Sequence, residues 1–585
     1  MSLSLLLVAL SFTQPTNALP AETNLLPSCK PIPGDSAWPS QTTWNTLNET
    51  LNGRLIASIP QAAICHPGGY SILAQNATAC ESLTKTWDSP LTAIDSPVDI
   101  MNPWYQNGSC SPFYNLKNTC KLGNYASYMV NVSRADDVMT AIKFARSENV
   151  RLVIKNTGHD FLGKSTGKGA LSLWTRNLRN LSIIPAYTSQ SYTGPAVKIG
   201  VGLSGAEVLM AVSKQNYRIV SGDCPTVGIA GGYSAGGGHG ALNNVYGLAA
   251  DNVLEWEVVT ADGRHLVATP QENADLYWAM TGGGAGTFAV ALSMTTRLHQ
   301  DAPLAAATLS FNASASKSNE SYEAALEAWW KFLPTLVDTG AAPAFNLYDG
   351  GFLVFNTTAS NQTAQGLAAV YKPYLSTLES LSVPYTFNTY TAPSYFAHYD
   401  KMYGPLPVGP YLGSPLFNSR LVPRGAGSDP KPIVQSMLTS MRLDKGADWQ
   451  FGCMGISVSS PSLRHADNAV APFWRDAVAI CLEFSNYNWT IPEAEMLARR
   501  TQLADVVHKS FVDATPGSGA YLNEADPLVY PAADVKKWQD AFYGGNYGRL
   551  REIKNTWDPE GIFYAFTAVG SEDWVTDGEG RLCKA

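Results

Sequence analysis

Residues 221–240 read Ser-Gly-Asp-Cys-Pro-Thr-Val-Gly-Ile-Ala-Gly-Gly-Tyr-Ser-Ala-Gly-Gly-Gly-His-Gly, with eight glycines in twenty positions. Each glycine inside a helix or strand costs about 0.5–1 kcal/mol of backbone entropy relative to alanine, so this stretch is no packed element. It is backbone kept bare so that something lies flat against it. A nucleotide's ribityl-phosphate chain is the natural occupant, because glycine backbone lets N–H groups converge on phosphate.

Cys224, inside that stretch, is one of nine cysteines: Cys29, Cys65, Cys80, Cys110, Cys120, Cys224, Cys453, Cys481 and Cys583. An odd count in an oxidising compartment leaves one thiol to explain. Taking Cys224 as that thiol leaves eight for four disulfides, with Cys65–Cys80 and Cys110–Cys120 the shortest pairings; an ordinary disulfide for Cys224 is the alternative. The compartment follows from other features. The apolar run from Leu3 to Leu10 is too short to span a bilayer and ends near Thr16-Asn17-Ala18, which reads as a signal peptide over residues 1–18, although no Lys or Arg precedes it. Asn-x-Ser/Thr sequons at Asn48, Asn76, Asn107, Asn131, Asn180, Asn312, Asn319, Asn356, Asn361 and Asn488 predict N-glycans on a secreted chain, with some sequons unused. No later apolar stretch is long enough for a membrane anchor. A net charge of −8 offers no basic footprint for nucleic acid, and with only 15% charged residues the chain can bury large cores.

Residues 19–121, rich in Pro, Ser, Asn and Cys, read as a loop-rich segment stapled by disulfides. Tyr128 to Val132 then reads as a strand, residues 136–149 as a helix and Arg151 to Ile154 as a second strand, a βαβ unit whose following loop is where ligands bind. Strands follow at 171–174 and 196–199, a helix at 204–215, and a strand at 253–260 ending in the hairpin signal Asp262-Gly263. Residues 304–504 change texture, with a helix near 321–337 and an apolar run at 352–355, as in a separate α+β unit.

The loop after the second strand reads Lys155-Asn-Thr-Gly-His-Asp-Phe-Leu-Gly-Lys-Ser-Thr166. A glycine among polar residues at a strand's carboxyl end suits a diphosphate, and His159 sits in the middle of that cradle with little apolar company. Rival motifs are weaker. Gly232-Tyr-Ser-Ala-Gly236 fits a serine-hydrolase elbow, which needs a helix after it, where a glycine tract stands. Gly282-Gly-Gly-Ala-Gly286 hints at a dinucleotide fold, yet the residues after it read as a strand. The eight histidines show no metal-ligand spacing, so no metal is expected.

Gly158-His159-Asp160, Cys224-Pro-Thr-Val-Gly228, Gly236-Gly-Gly-His-Gly240, Tyr246-Gly-Leu-Ala-Ala-Asp-Asn-Val253, the run from Asp275 to Thr287, and Asn546-Tyr-Gly-Arg-Leu-Arg-Glu-Ile-Lys554 with Trp557-Asp-Pro559 together resemble the berberine bridge enzyme-like FAD-linked oxidases of the vanillyl-alcohol oxidase/PCMH superfamily, in their fungal secreted branch. The resemblance covers residues 122–303 and 505–570. It implies an α+β fold: a PCMH-type FAD-binding domain of two α/β subdomains over 122–303, a substrate domain at 304–504 with an antiparallel sheet covered by helices, and a C-terminal segment at 505–585 returning to the flavin lobe. It implies FAD bound bicovalently, with His159 at the 8α-carbon and Cys224 at C6. Asn156, Thr157, Gly158, Asp160, Phe161 and Ser165 would contact the pyrophosphate, and Gly228, Gly231, Gly237 and Val253 would line the nucleotide. Val227, small where larger side chains block oxygen in dehydrogenases, implies O2 as acceptor and peroxide as product. Where plant members carry Gly-Gly-His after the Val-Gly, this chain has Gly231-Gly232-Tyr233 with one additional residue, Ala230, so the resemblance does not carry over a histidine near the flavin pyrimidine.

Tyr521-Leu-Asn523 resembles the family's Tyr-x-Asn stretch on the flavin face, followed here by Glu524 where tyrosine is frequent. A carboxylate in a half-dry pocket suits a general base, with Tyr521 and Asn523 orienting substrate or flavin; a helix cap or ion pair is the plain alternative for Glu524. Tyr348 and Asp349 are weaker candidates. The expected activity is hydride transfer from a small organic molecule to FAD and on to O2 in a monomeric secreted oxidase of secondary-metabolite biosynthesis, by alcohol oxidation, dehydrogenation or oxidative cyclisation. A carbohydrate or primary-alcohol oxidase and a catalytically silent flavin-binding glycoprotein are the alternatives.

Overall fold

The computed structural model describes residues 29–68, 74–106, 109–410, 415–443, 448–459, 463 and 467–585. The expected signal peptide at 1–18 and the sequon at Asn107 lie outside the described residues. Three sheets carry the architecture. The first runs Leu55–Ala57, Tyr128–Asn131, Ala170–Trp174, Arg151–Lys155; its first pair is antiparallel and the rest are parallel. The expected βαβ unit is present, with helix Ala135–Ser147 as its crossover, but the later strand Ala170–Trp174 lies between its two strands. Val138, Ala141, Ile142 and Ala145 face this sheet at helical spacing and are fully buried, which explains why the element formed where the apolar period placed it.

The second sheet is antiparallel, in the order Leu181–Thr188, Thr193–Gly200, Ala289–Arg297, Val253–Thr260, His265–Ala268. Leu181–Thr188 was not expected: it is an edge strand with no fully buried residue and half of its positions exposed. Residues 29–121 also differ from the expected loops, since they fold into short helices such as Gln41–Thr50, capped by the Ser40 hydroxyl, and Ala77–Thr86, capped by Asn76.

The third sheet is antiparallel and seven-stranded, in the order Tyr385–Ala392, Leu304–Asn312, Gly351–Ser360, Ala341–Tyr348, Gln450–Gly455, Ala477–Asn486, Pro415–Pro423. Helices Asn319–Asp338, Ala364–Ser380 and Lys431–Met441 cover one face, where Trp329, Phe345, Leu347, Phe352 and Phe451 share a buried cluster. Because successive side chains alternate across a strand, the opposite face shows Ala344, Asn346, Gly452, Met454, Leu482 and Phe484 to a cavity. Residues 519–524 run along the edge strand Pro415–Pro423: Leu421 donates its N–H to Gly519 O (2.9 Å) and Ser419 donates to Glu524 O (2.9 Å). The fold is the mixed α+β architecture expected, two sheets on the cofactor side and a helix-covered antiparallel sheet on the other.

Four disulfides form: Cys65–Cys80 and Cys110–Cys120 as expected, Cys453–Cys481 between directly paired residues of adjacent strands, and Cys29–Cys583 across 554 residues. Cys224 is the free cysteine. Bonds of this kind belong to an oxidising compartment, and among the described residues no helix is long and apolar enough to cross a membrane. Asn76, Asn180, Asn312, Asn319 and Asn361 are exposed, whereas Asn356 is 1% exposed and donates to Thr358 Oγ1, so the folded chain has no room for a glycan there.

Replacing Cys29 and Cys583 together by alanine is expected to destabilise the fold by about 2–5 kcal/mol, because the crosslink closes a very long loop. An unchanged urea-unfolding midpoint for the double variant would contradict this.

Candidate functional site

Between the two cofactor-side sheets and the seven-stranded sheet lies a cavity of about 660 Å³, within the range of small-molecule and cofactor sites. One wall is the loop after strand Arg151–Lys155. Gly158 sits there at φ +81°, and a Cβ on it would press on the Lys155 side chain at 3.3 Å. Asp160 closes the loop: its carboxylate accepts from the N–H of Lys164 (2.6 Å), from the N–H of Ser165 (3.3 Å) and from the Ser165 hydroxyl. Asp160 is thereby a loop anchor. Asn156 donates to Val201 O (2.6 Å), while its Oδ1 is buried with no hydrogen-bond partner.

The facing wall is the glycine stretch. Gly205 donates its N–H to Val227 O (2.9 Å) and Ala206 donates to Pro225 O (3.0 Å), so the start of helix Gly205–Ser213 is tied to residues 225–227 by the backbone. Ile229–Tyr233 then makes one wide turn. A Cβ on Gly228 would stand 2.5 Å from Asn156 Nδ2, and one on Gly231 would stand 2.9 Å from it. Both glycines are therefore required by close approach of the two walls. The rejected serine elbow is closed off here as well: Ser234 is buried and donates to Ile229 O (2.6 Å).

The two loops meet at one hydroxyl. Thr226 Oγ1 lies 2.9 Å from His159 Nε2 and 3.6 Å from Cys224 Sγ. Burial, aided by the Lys155 ammonium, pushes the His159 pKa down to about 3, so the imidazole is neutral. Burial raises the Cys224 thiol. Lys155 itself is pushed down to about 7 by burial and donates to Ala93 O and Ser96 O.

The third contribution comes from residues 519–524, placed by their pairing with the sheet edge. Asn523 donates to Gly232 O (2.7 Å) and to the Tyr521 hydroxyl (2.8 Å), which reaches Tyr233 O at 3.4 Å. Glu524 Oε1 lies 2.9 Å from His239 Nε2, with side chains 21% and 15% exposed. Burial opposes a charge on His239, but Glu524 outweighs it, and the imidazole pKa is raised.

Of the expected site residues, Asn156, Thr157, Gly158, His159, Asp160, Phe161, Ser165, Cys224, Val227, Gly228, Gly231, Tyr521, Asn523 and Glu524 all line this cavity. Two do not. Gly237 lies behind the turn, nearest Val470 and Tyr521, and Val253 is buried at a strand start where its carbonyl accepts from Tyr277. Tyr348 and Asp349 are also displaced: they form the tip of the hairpin joining Ala341–Tyr348 to Gly351–Ser360, with Tyr348 40% exposed. The sequence reading missed His239, Asp223, Tyr403 and Lys164, which line the cavity too. Tyr233 stands where plant members carry a histidine, and an imidazole reaches the cavity from His239, six residues on. The signal was its place inside the glycine stretch, where the next non-glycine side chain must project from an otherwise bare wall.

Residues 126–269 match the model of an FAD binding domain and residues 520–570 that of berberine and berberine-like proteins. The chain is 61% identical over 557 residues, 95% of each protein, to FAD-linked oxidoreductase orf1 of Neocamarosporium betae. It is 44% identical over 587 residues, the full length of both, to bifunctional decalin synthase calF of Penicillium decumbens. The crystal structure of the VAO-type flavoprotein MtVAO615 from Myceliophthora thermophila C1 superposes with a TM-score of 0.90 at 43% identity, covering 95% of this chain and all of that one. The chain therefore belongs to the berberine bridge enzyme-like FAD-linked oxidoreductases of the vanillyl-alcohol oxidase superfamily.

The cavity suits FAD on its own chemistry. Asn156 Oδ1 is an orphaned buried acceptor, Gly228 and Gly231 leave bare backbone where a Cβ would collide, and the half-buried Lys164 ammonium offers a cation beside the diphosphate-type loop. Gly228→Ala is expected to push Asn156 from its bond to Val201 and to weaken cofactor retention by about 1–3 kcal/mol. The ratio of flavin to protein absorbance after purification measures it; full loading would contradict the close-approach argument.

Proposed function

We propose that this FAD-linked oxidoreductase holds its cofactor by two covalent bonds, to His159 and Cys224, and oxidises a small, largely apolar organic molecule that carries a hydroxyl, as a step of fungal secondary-metabolite biosynthesis. The observation that carries the reading is the convergence of His159 and Cys224, from loops 65 residues apart, on the one hydroxyl of Thr226 in the cavity wall. A neutral imidazole and a free thiol at that point are the two nucleophiles such an attachment needs. Bound FAD supplies a hydride acceptor that O2 can reoxidise to give hydrogen peroxide.

The chain's own residues do the rest. Glu524 Oε2, buried and without a hydrogen-bond partner, takes the proton of the substrate hydroxyl. Asn523 and Tyr521 hold the glycine turn through the Gly232 and Tyr233 carbonyls. Phe161, packed edge-on against Phe417 at 3.9 Å between ring centroids, closes the cavity to water where the two halves meet. Val227 leaves a small side chain in the wall, which favours access of O2.

The substrate side separates the competing readings. Phe355, Phe417, Phe484, Met402, Met454 and Leu482 line it, with the Asn346 amide and the Tyr403 hydroxyl as its polar groups. A sugar presents hydroxyls all round and would leave them unpaired against such a wall, which disfavours the carbohydrate oxidase. One relative is named a bifunctional decalin synthase, and decalin is an apolar ring system. The remaining expectations are proposed with it: a secreted monomer with glycans on the exposed sequons.

Mass spectrometry of tryptic peptides tests the attachment. The peptides containing His159 and Cys224 are expected to carry one flavin between them, and the H159A and C224A variants each to keep a single bond; unmodified peptides would overturn the reading. Glu524→Gln is expected to slow anaerobic bleaching by an accepted hydroxyl donor about 10²–10⁴-fold. If no donor bleaches the wild-type protein, the silent flavin-binding alternative gains.

A further inference from the structure

Several polar atoms in the wall of the cavity are buried without a hydrogen-bond partner, among them His239 Nδ1, Glu524 Oε2 and Asp223 Oδ1. Asp223 and His239 come from the glycine stretch and Glu524 from the segment at the sheet edge, yet all three line one space. His239 binds Glu524 through Nε2 at 2.9 Å, and Asp223 adds a weaker attraction for the imidazolium. Asp223 stands next to Cys224, and burial raises its pKa to about 6. Desolvation on this scale is costly unless the charges compensate one another.

We propose that His239 and Glu524 form one proton-sharing unit in a wall that also carries Asp223, in which His239 is a positioning residue: its imidazolium holds Glu524 by one oxygen and leaves the other open to a neutral substrate hydroxyl. The inference rests on the reading of Glu524 as the proton acceptor. The unit explains the orphaned Glu524 Oε2, since a hydroxyl donor arriving in the cavity satisfies it. It also accounts for the aromatic packing: Tyr521 meets the His239 ring edge-on at 5.4 Å and Trp474 lies at 6.0 Å, which fixes the plane of the imidazole.

The other titratable groups around the unit are uncharged. Tyr521, Tyr233, Tyr395 and Tyr403 all have their hydroxyl pKa raised by burial, and the Cys224 thiol is raised in the same way. Helix Tyr395–Tyr403 supplies two of these tyrosines, and the hydroxyl of its Tyr399 donates to Gly222 O (2.7 Å), so the substrate side fixes the backbone next to Asp223.

The test is proton–carbon NMR of the purified flavoprotein with labelled histidine, with the His239 signal assigned by its loss in H239N. The proposal expects a His239 midpoint above the ordinary value of about 6.5. In E524Q it is expected to fall by about one pH unit or more, the scale set by one close opposite charge, and in D223N by a smaller amount. The wild-type midpoint remains a measurement of its own if E524Q or D223N folds poorly. A His239 midpoint at or below the ordinary value, or one unmoved by both substitutions, overturns the unit. None of these outcomes depends on the flavin bonds, so the attachment reading stands or falls separately on its peptide masses.

Discussion

From Cys224 to His239 the chain offers mainly its backbone to the cavity, and the rest of the site is arranged around that bareness. A methyl group at Gly228 or Gly231 would strike Asn156, so the two loops are as close as peptide groups allow. This proximity lets His159 and Cys224 share Thr226, and it lets Asn523 hold a carbonyl of the turn from the far side. Helix Gly205–Ser213 contributes from behind: its first N–H groups are satisfied by residues 225 and 227, so a tight turn without regular ladder bonds keeps its shape.

The seven-stranded sheet solves a different problem. One face must bury a large aromatic core under helices and the other must face a cavity. The pleat divides alternate residues between the two faces, sending Phe345 and Phe451 to the core and Ala344, Asn346, Gly452 and Met454 to the cavity. The outermost strand, Pro415–Pro423, would leave open backbone groups, and residues 519–524 occupy them. Glu524 is therefore delivered by sheet edge pairing from a part of the chain distant in sequence. This wall of the cavity thus rests on a rigid element rather than on a loose loop.

Much of this was legible before the fold was known. The crossover helix Ala135–Ser147, the strand before the His159 loop and the hairpin at Asp262-Gly263 follow from period and turn chemistry, which act over a few residues. The odd cysteine followed from arithmetic alone, and Cys224 is unpaired in the structure. What stayed hidden is long-range. Strand Ala170–Trp174 slips between two others, Leu181–Thr188 lies at a sheet edge with half of its positions exposed, and Cys29 finds Cys583 with no local cue. His239 and Asp223 escaped notice because their neighbours were read for the backbone they supply. Tyr348 and Asp349 suited a turn, and a turn is where they are. Gly237 and Val253 support the wall from behind, a distinction of a few ångströms that composition does not carry.

The bond between Cys29 and Cys583 sets an order of events during biosynthesis. Cys29 emerges 554 residues before its partner and must wait as a reactive thiol while the intervening chain is translated. Cys65 and Cys80, only 15 residues apart, are within reach of it throughout that wait. Correct maturation thus requires the short loops to close first, or an isomerase to undo the wrong choices, which ties the yield of this protein to the oxidative folding machinery of its host.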